Sequence, residues 1–194
     1  MKKVIYIDVE TTGLDPLVHG LIQVAAIVVV DGKKIDEIEF KVDPHSYKRG
    51  ACEISQEAMG INGKTVEEIS TYPASNRSYT RFLRFLDKHI NKYNKQDKLE
   101  VAGYNTRFDM AFIQEWFEDN NNDYCWSYFK GDLDVLALVR HLVFCGLIDT
   151  ENHQLPTMCK EFKIKLDAHD ALSDIKATRK LHKKLIKRFI NVKK

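Results

Sequence analysis

Residues 3–9 read KVIYIDV, a run of β-branched, aromatic and apolar side chains that falls on both faces of an extended chain. A strand that is apolar on both sides must be covered on both sides. It therefore belongs near the centre of a sheet sandwiched between helices. Two carboxylates, Asp8 and Glu10, interrupt this stretch. Strand alternation puts both on one face, roughly 7 Å apart. An ionised carboxylate buried there without a partner is costly, and it takes up a proton instead. A local rule broken inside a consistent segment marks a functional position.

The rest of the pattern supplies the layers. LIQVAAIVVV (21–30) reads as a second strand, Asp31-Gly32 as a hairpin turn, and IDEIEFKV (35–42) as a third strand with one wet face, suited to a sheet edge. Residues 44–74 read as loop and short helices. Residues 75–93 form a helix with Phe82, Phe85, Leu86 and Ile90 on one side, and LEVAGY (99–104) forms a fourth strand. A helix follows over 106–119, then a turn at 119–123 and a fifth strand over YCWSYF (124–129). Helices are predicted at 132–144, capped by Asp132, at 153–162 and at 170–190. Three strands followed by helices alternating with two more predict an α/β fold, a mixed five-stranded sheet with helices on both faces.

The 194 residues suit one compact domain over 1–194, large enough to fold without a disulfide or metal staple. Cys52, Cys125, Cys145 and Cys159 form no CxxC pair, and read as buried thiols in a reducing compartment. No apolar stretch approaches the roughly 20 residues of a membrane span, and Asp8 and Glu10 end the first apolar run too early for a secretion signal. The expected location is the cytoplasm, with no membrane partner.

Two further acids repeat the anomaly. Asp109 shares a helix face with Ile113 and Trp116, and Asp174 aligns with Ala171, Thr178, Leu181 and Leu185. Four carboxylates thus point toward what should be core, and the same segments offer no basic partners. Divalent cations fill that need. Two ions carry four positive charges against four carboxylates, and hard oxygen ligands favour Mg²⁺ or Mn²⁺ over zinc. Two such ions can clamp the attacking and leaving oxygens of a phosphodiester displacement. His169, five residues before Asp174, sits at the entry to the last helix, where a neutral imidazole could take a proton from water.

DVETTGL (8–14), NTRFD (105–109) and HDALSD (169–174) resemble the three motifs of the DEDD superfamily of 3′→5′ exonucleases. The resemblance is to its histidine branch, which includes the proofreading epsilon subunit of DNA polymerase III, ribonuclease T and oligoribonuclease. The sister branch has a tyrosine four residues before the last aspartate, where this chain has Asp170. The first motif is specific; the other two are weak singly and strong in order and together. The likeness covers nearly the whole chain and weakens over 43–53 (DPHSYKRGACE), which lacks the family's proline-rich stretch.

The resemblance implies a ribonuclease-H-like fold and two-metal hydrolysis from the 3′ end of single-stranded DNA or RNA, releasing nucleoside 5′-monophosphates. It makes Asp8, Glu10, Asp109 and Asp174 metal ligands and His169 the base. It makes Thr11, Thr12, Gly13 and Leu14 the loop that holds the terminal nucleotide, with Asn105 and Phe108 beside it. A DNA polymerase or a second copy of the chain are the protein partners it leaves open. A proofreading subunit, an oligoribonuclease-like enzyme on very short RNA and a non-catalytic nucleic-acid-binding module are the alternatives.

Charge is uneven along the chain. Nine of the 30 Lys and Arg residues lie in the last 19 positions, and all 28 acids lie at or before Asp174. The basic tail reads as a solvated helix face or a phosphate-binding stripe.

Overall fold

The computed structural model describes residues 2–121, 124–166 and 170–190. Five strands form one sheet in the order β3-β2-β1-β4-β5. They are β1 (Lys3–Thr11), β2 (Leu21–Val30), β3 (Lys33–Lys41), β4 (Leu99–Gly103) and β5 (Phe129–Asp134). β1 pairs antiparallel with β2 and parallel with β4; β2–β3 is antiparallel and β4–β5 parallel. The strand that is apolar on both faces is the central one, as its composition requires. Asp31 and Gly32 both take positive φ in the turn between β2 and β3, as a two-residue hairpin needs.

Seven α-helices are described: α1 (Gln56–Asn62), α2 (Val66–Ile69), α3 (Ser75–Asp87), α4 (Thr106–Asp119), α5 (Val135–Phe144), α6 (Leu155–Glu161) and α7 (Ala171–Leu185). On one face, Ile5, Ile7 and Val9 of β1 pack with Phe82 and Phe85 of α3 and Phe112 and Trp116 of α4. On the other, Tyr6 joins Ala25, Ile27 and the α7 residues Ala171 and Ile175. α5 and α6 cover the outer side of α7 through Val139, Met158 and Leu181. Helices on both faces of a mixed sheet agree with the pattern read from the sequence.

Several boundaries differ. The fifth strand is Phe129–Asp134, not 124–129; the aromatic stretch before it makes a short 3-10 turn at Cys125–Ser127. KGDLD carries no apolar alternation because β5 is an edge strand whose middle residues face water. The cap of α5 is Asp134, whose carboxylate accepts from the Leu136 amide, while Asp132 accepts from the Thr106 hydroxyl. α3 ends at Asp87 rather than 93. Cys52, Cys125 and Cys159 are buried as expected, but Cys145, just past α5, is exposed. No helix among the described residues is long and apolar enough to cross a membrane.

Candidate active site

The site forms where β1 runs past its parallel neighbour. β1 pairs with β4 only from Val4 to Tyr6, after which β4 ends and the chain turns into α4. Asn105 makes this turn in the left-handed region, which Asn tolerates better than most residues. Gly103 permits the close approach: a Cβ there would lie 2.9 Å from the Ile7 carbonyl oxygen and from Thr106 Cγ2. α4 therefore starts tight against β1, and Asp109 in its first turn reaches over the sheet end. The Val9 N–H, left without a β4 partner, donates to Asp109 Oδ1 at 3.0 Å. Between Glu10 and Thr11 the pairing with β2 shifts by one residue, an irregularity of the kind that re-aims side chains at sheet rims.

The last carboxylate arrives on α7. Asp170 caps that helix, accepting the Ser173 amide at Oδ1 (2.8 Å) and Gln23 Nε2 at Oδ2 (3.2 Å). Gln23 Nε2 also donates to Glu39 Oε1 at 2.6 Å. Gln23 stands directly opposite Glu10 in the β1–β2 register. The start of α7 is thus tied to β2 and β3 beside the carboxylates of β1. Asp8, Glu10 and Asp174 each offer an oxygen, and the three oxygens lie within 4.8 Å of one another. Asp109 is not in this trio, since its Oδ1 faces the Val9 amide; it lies buried beside them.

The electrostatics follow from this crowding. Burial, then the charges of Asp109, Asp174 and Glu10, hold the Asp8 carboxyl well above the usual range. Burial also raises Asp109 well above it, against the Val9 hydrogen bond that favours the charged form. Glu10 is pushed up to about 7 by burial and by Asp174 and Asp170, with Lys64 offsetting part of the effect. Among the described residues no Lys or Arg makes an ion pair with Asp8, Glu10 or Asp109. Bare, the group is protonated or strained; a multivalent cation is the ligand that relieves it. The set is all carboxylate oxygen, which suits a hard divalent metal.

Beside Glu10 lies a hollow of about 230 Å³, lined by Val9, Thr11, Gly13 and Leu14 on one side, Ala58 and Ile61 of α1 on another, and Phe108. It is smaller than typical drug-sized pockets of about 300–1,000 Å³ and so takes one part of a ligand. Leu14 is 82% exposed at the rim of this hollow. The loop is held from beneath. The Thr12 hydroxyl donates to the Glu53 carbonyl and accepts the Gly20 amide, the Thr11 hydroxyl donates to the Gly13 carbonyl, and Asn62 Nδ2 donates to the Thr11 carbonyl.

Of the residues singled out in the sequence, Asp8, Glu10, Asp109 and Asp174 converge, and Thr11, Gly13, Leu14 and Phe108 line the adjoining hollow. Thr12 does not line it. It is fully buried, so it shapes the loop from within. The Asn105 side chain makes no capping bond; its backbone N–H donates to Asp134. His169 lies outside the described residues. Gln23, Glu39 and Asp170 were not anticipated. Gln23 carried a usable signal, being the lone polar side chain in LIQVAAIVVV.

Comparison with known proteins gives the family and the fold. The family described as Exonuclease (RNase_T) matches residues 5–182. The DNA polymerase III PolC-type of Bacillus cereus is 30% identical over 186 residues, and that of Thermotoga petrophila 25% over 175. These stretches cover 93% and 90% of this chain but 11% of each polymerase, so the chain spans about a tenth of the length of the relatives it matches. A zinc-bound complex of E. coli exonuclease I with single-stranded DNA superposes with a TM-score of 0.81 at 22% identity, over 98% of this chain and 42% of that one. A complex of the same enzyme with a dT13 oligonucleotide gives 0.80 at 22% identity, over 97% and 42%. At that identity the likeness speaks for the fold.

Proposed function

The chain belongs to the Exonuclease family, and from that premise we propose that it is a metal-dependent 3′→5′ exonuclease of the histidine branch. Its substrate is single-stranded DNA or RNA, and it releases nucleoside 5′-monophosphates. The observation that carries this reading is the Asp8–Glu10–Asp174 trio, whose carboxylate oxygens lie within 4.8 Å of one another beside a hollow sized for part of one nucleotide.

Asp8, Glu10 and Asp174, with Asp109 beside them, would hold two divalent ions, Mg²⁺ or Mn²⁺. When bound, such ions stabilise the charge that builds on the phosphodiester oxygens. Thr11, Gly13, Leu14 and Phe108 hold the last nucleotide, with Leu14 pressing on its base. Thr12 keeps the loop in shape, and Asn105 sets the turn that aims Asp109. His169 takes a proton from the attacking water. The water oxygen bonds to phosphorus as the bond from phosphorus to the 3′ oxygen breaks. The departing 3′ oxygen takes a proton from solvent and becomes the 3′-hydroxyl of the shortened strand, the nucleotide leaves with its 5′-phosphate, and His169 returns its proton to solvent.

Similarity to PolC-type DNA polymerases over 93% of the chain favours DNA and a proofreading setting as the second, narrower reading. The test is a gel of matched 5′-labelled DNA and RNA strands with Mg²⁺ or Mn²⁺, comparing the wild type with Asp109→Ala. Stepwise shortening that stops with EDTA and in the variant supports the reading. An Asp109→Ala protein that degrades strands at the wild-type rate refutes the site. Faster shortening of DNA than RNA supports the narrower reading, and the reverse order counts against it.

A further inference from the structure

Along α3 and its C-cap residue, Arg77, Arg81, Arg84 and Lys88 follow one another at spacings of four, three and four, which places them in a single line along the helix. All four are exposed. They form one wall of a groove of about 830 Å³, whose other wall is Asp36, Glu37 and Ile38 of the edge strand β3. The acids opposite are already committed. Asp36 pairs with His89 at 3.1 Å, and Glu37 with Lys34 at 2.8 Å and Lys176 at 3.6 Å. Among the described residues none of the four cations has a carboxylate within ion-pair distance. Asp87, three positions after Arg84, is the one acid of α3, and it pairs with Lys92 at 3.9 Å instead.

The line has a direction. Glu10, Gln23 and Lys41 stand in one row across β1, β2 and β3. The Ser78 hydroxyl donates to the Lys41 carbonyl at 2.7 Å, so the Arg77 end of α3, on the sheet face opposite α7, is level with the β3 end of that row, which lies two strand spacings or about 10 Å from Glu10 within the sheet. From there the cations lead away along β3. Arg77 to Lys88 spans about 16 Å at the helical rise. That is the length of about five phosphates of a stacked strand at about 3.4 Å each.

We propose that the groove between α3 and the free edge of β3 binds the phosphate backbone of the substrate strand upstream of its 3′ end. This rests on the exonuclease reading of the carboxylate site. It assigns the strand-holding role to α3. Part of the basic tail is otherwise engaged: Lys176 pairs with Glu37 and Lys184 donates to the Phe162 carbonyl.

The test compares the wild type with R77Q/R81Q/R84Q, which keeps the side-chain stems and removes three charges. Binding of a labelled single strand of about 30 nucleotides is followed in EDTA over a salt series. Each single-strand phosphate contact contributes about 0.7 to the slope of log affinity against log salt, so the variant's slope is shallower by about 2. The wild-type advantage then shrinks about 16-fold between about 0.05 and 0.2 M salt. With metal added, KM rises for the long strand, while kcat and KM for a strand of about four nucleotides stay at wild-type values. An unchanged slope and unchanged long-strand KM overturn the proposal. So does a triple variant that loses binding to poly-glutamate but not to the strand, which would make the groove a site for acidic peptides. A wild type that binds strands with the expected slope yet never shortens them refutes the exonuclease reading while supporting the groove.

Discussion

Glu10→Gln should make the metal-free protein more stable while destroying its metal site. The Glu10 carboxyl rises from 4.5 to about 7 on folding, chiefly by burial and then by repulsion from Asp174 and Asp170. The folded state therefore holds this proton more tightly than the unfolded chain does. The protonated group's contribution is fully present below about pH 4.5 and is lost as pH rises through about 7. A shift of this size, at about 1.4 kcal/mol per unit, costs the wild type about 3 kcal/mol at pH 8. Gln mimics the protonated form and escapes that cost. In EDTA at pH 8 the variant should melt about 6–12 °C above the wild type, at about 2–4 °C per kcal/mol for a chain of this size. At pH 5 the folded carboxyl keeps its proton and the unfolded one lies only half a unit above its pKa of 4.5, so the gain falls below about 1 kcal/mol. Thermal unfolding by circular dichroism at the two pH values reads this directly. A variant no more stable than the wild type at pH 8, or equally stabilised at both, refutes the idea that the trio is electrostatically strained without metal.

Three other outcomes follow from the same geometry. Mg²⁺ or Mn²⁺ at about 100 times its dissociation constant should stabilise the wild type by about 2.7 kcal/mol and leave the melting of Asp8→Asn/Asp174→Asn unmoved; equal shifts in both would place the ions elsewhere. Gly103→Ala forces a methyl against the Ile7 carbonyl and Thr106. It should cost about 1–3 kcal/mol in urea unfolding and lower kcat by displacing Asp109, whereas a neutral result would show that α4 does not need this close approach. Phe108→Ala opens the hollow beside Glu10. It should raise KM for a single strand by about tenfold, the scale of one lost base–aromatic contact, with unfolding by urea measured alongside; an unchanged KM removes Phe108 from the binding surface.

What the sequence made legible was the part governed by burial. KVIYIDV had to be central because it is apolar on both faces, and the carboxylates within it stood out for that reason. Asp109 and Asp174 were found in the same way, from the helix faces they share with Ile113 and Leu181. β5 was misplaced because an edge strand with a wet middle carries no period-two signal. The Gln23–Asp170 tie was missed because it joins residues 147 apart in the chain, and only the pairing of β1 with β2 puts Gln23 next to Glu10. The α3 stripe was hidden for a different cause. Basic residues on an amphipathic helix look like an ordinary solvated face until the committed acids of β3 are seen opposite them.

The central claim is that one carboxylate centre hydrolyses strands from the 3′ end, and product identity at early times tests it most directly. Wild-type protein is mixed with a single strand and Mg²⁺ or Mn²⁺, and the released material is read by mass spectrometry beside an Asp174→Asn control. The account predicts nucleoside 5′-monophosphates matching the 3′-terminal sequence in order, and none from the control. Nucleoside 3′-monophosphates, internal fragments, or equal release by Asp174→Asn would contradict it.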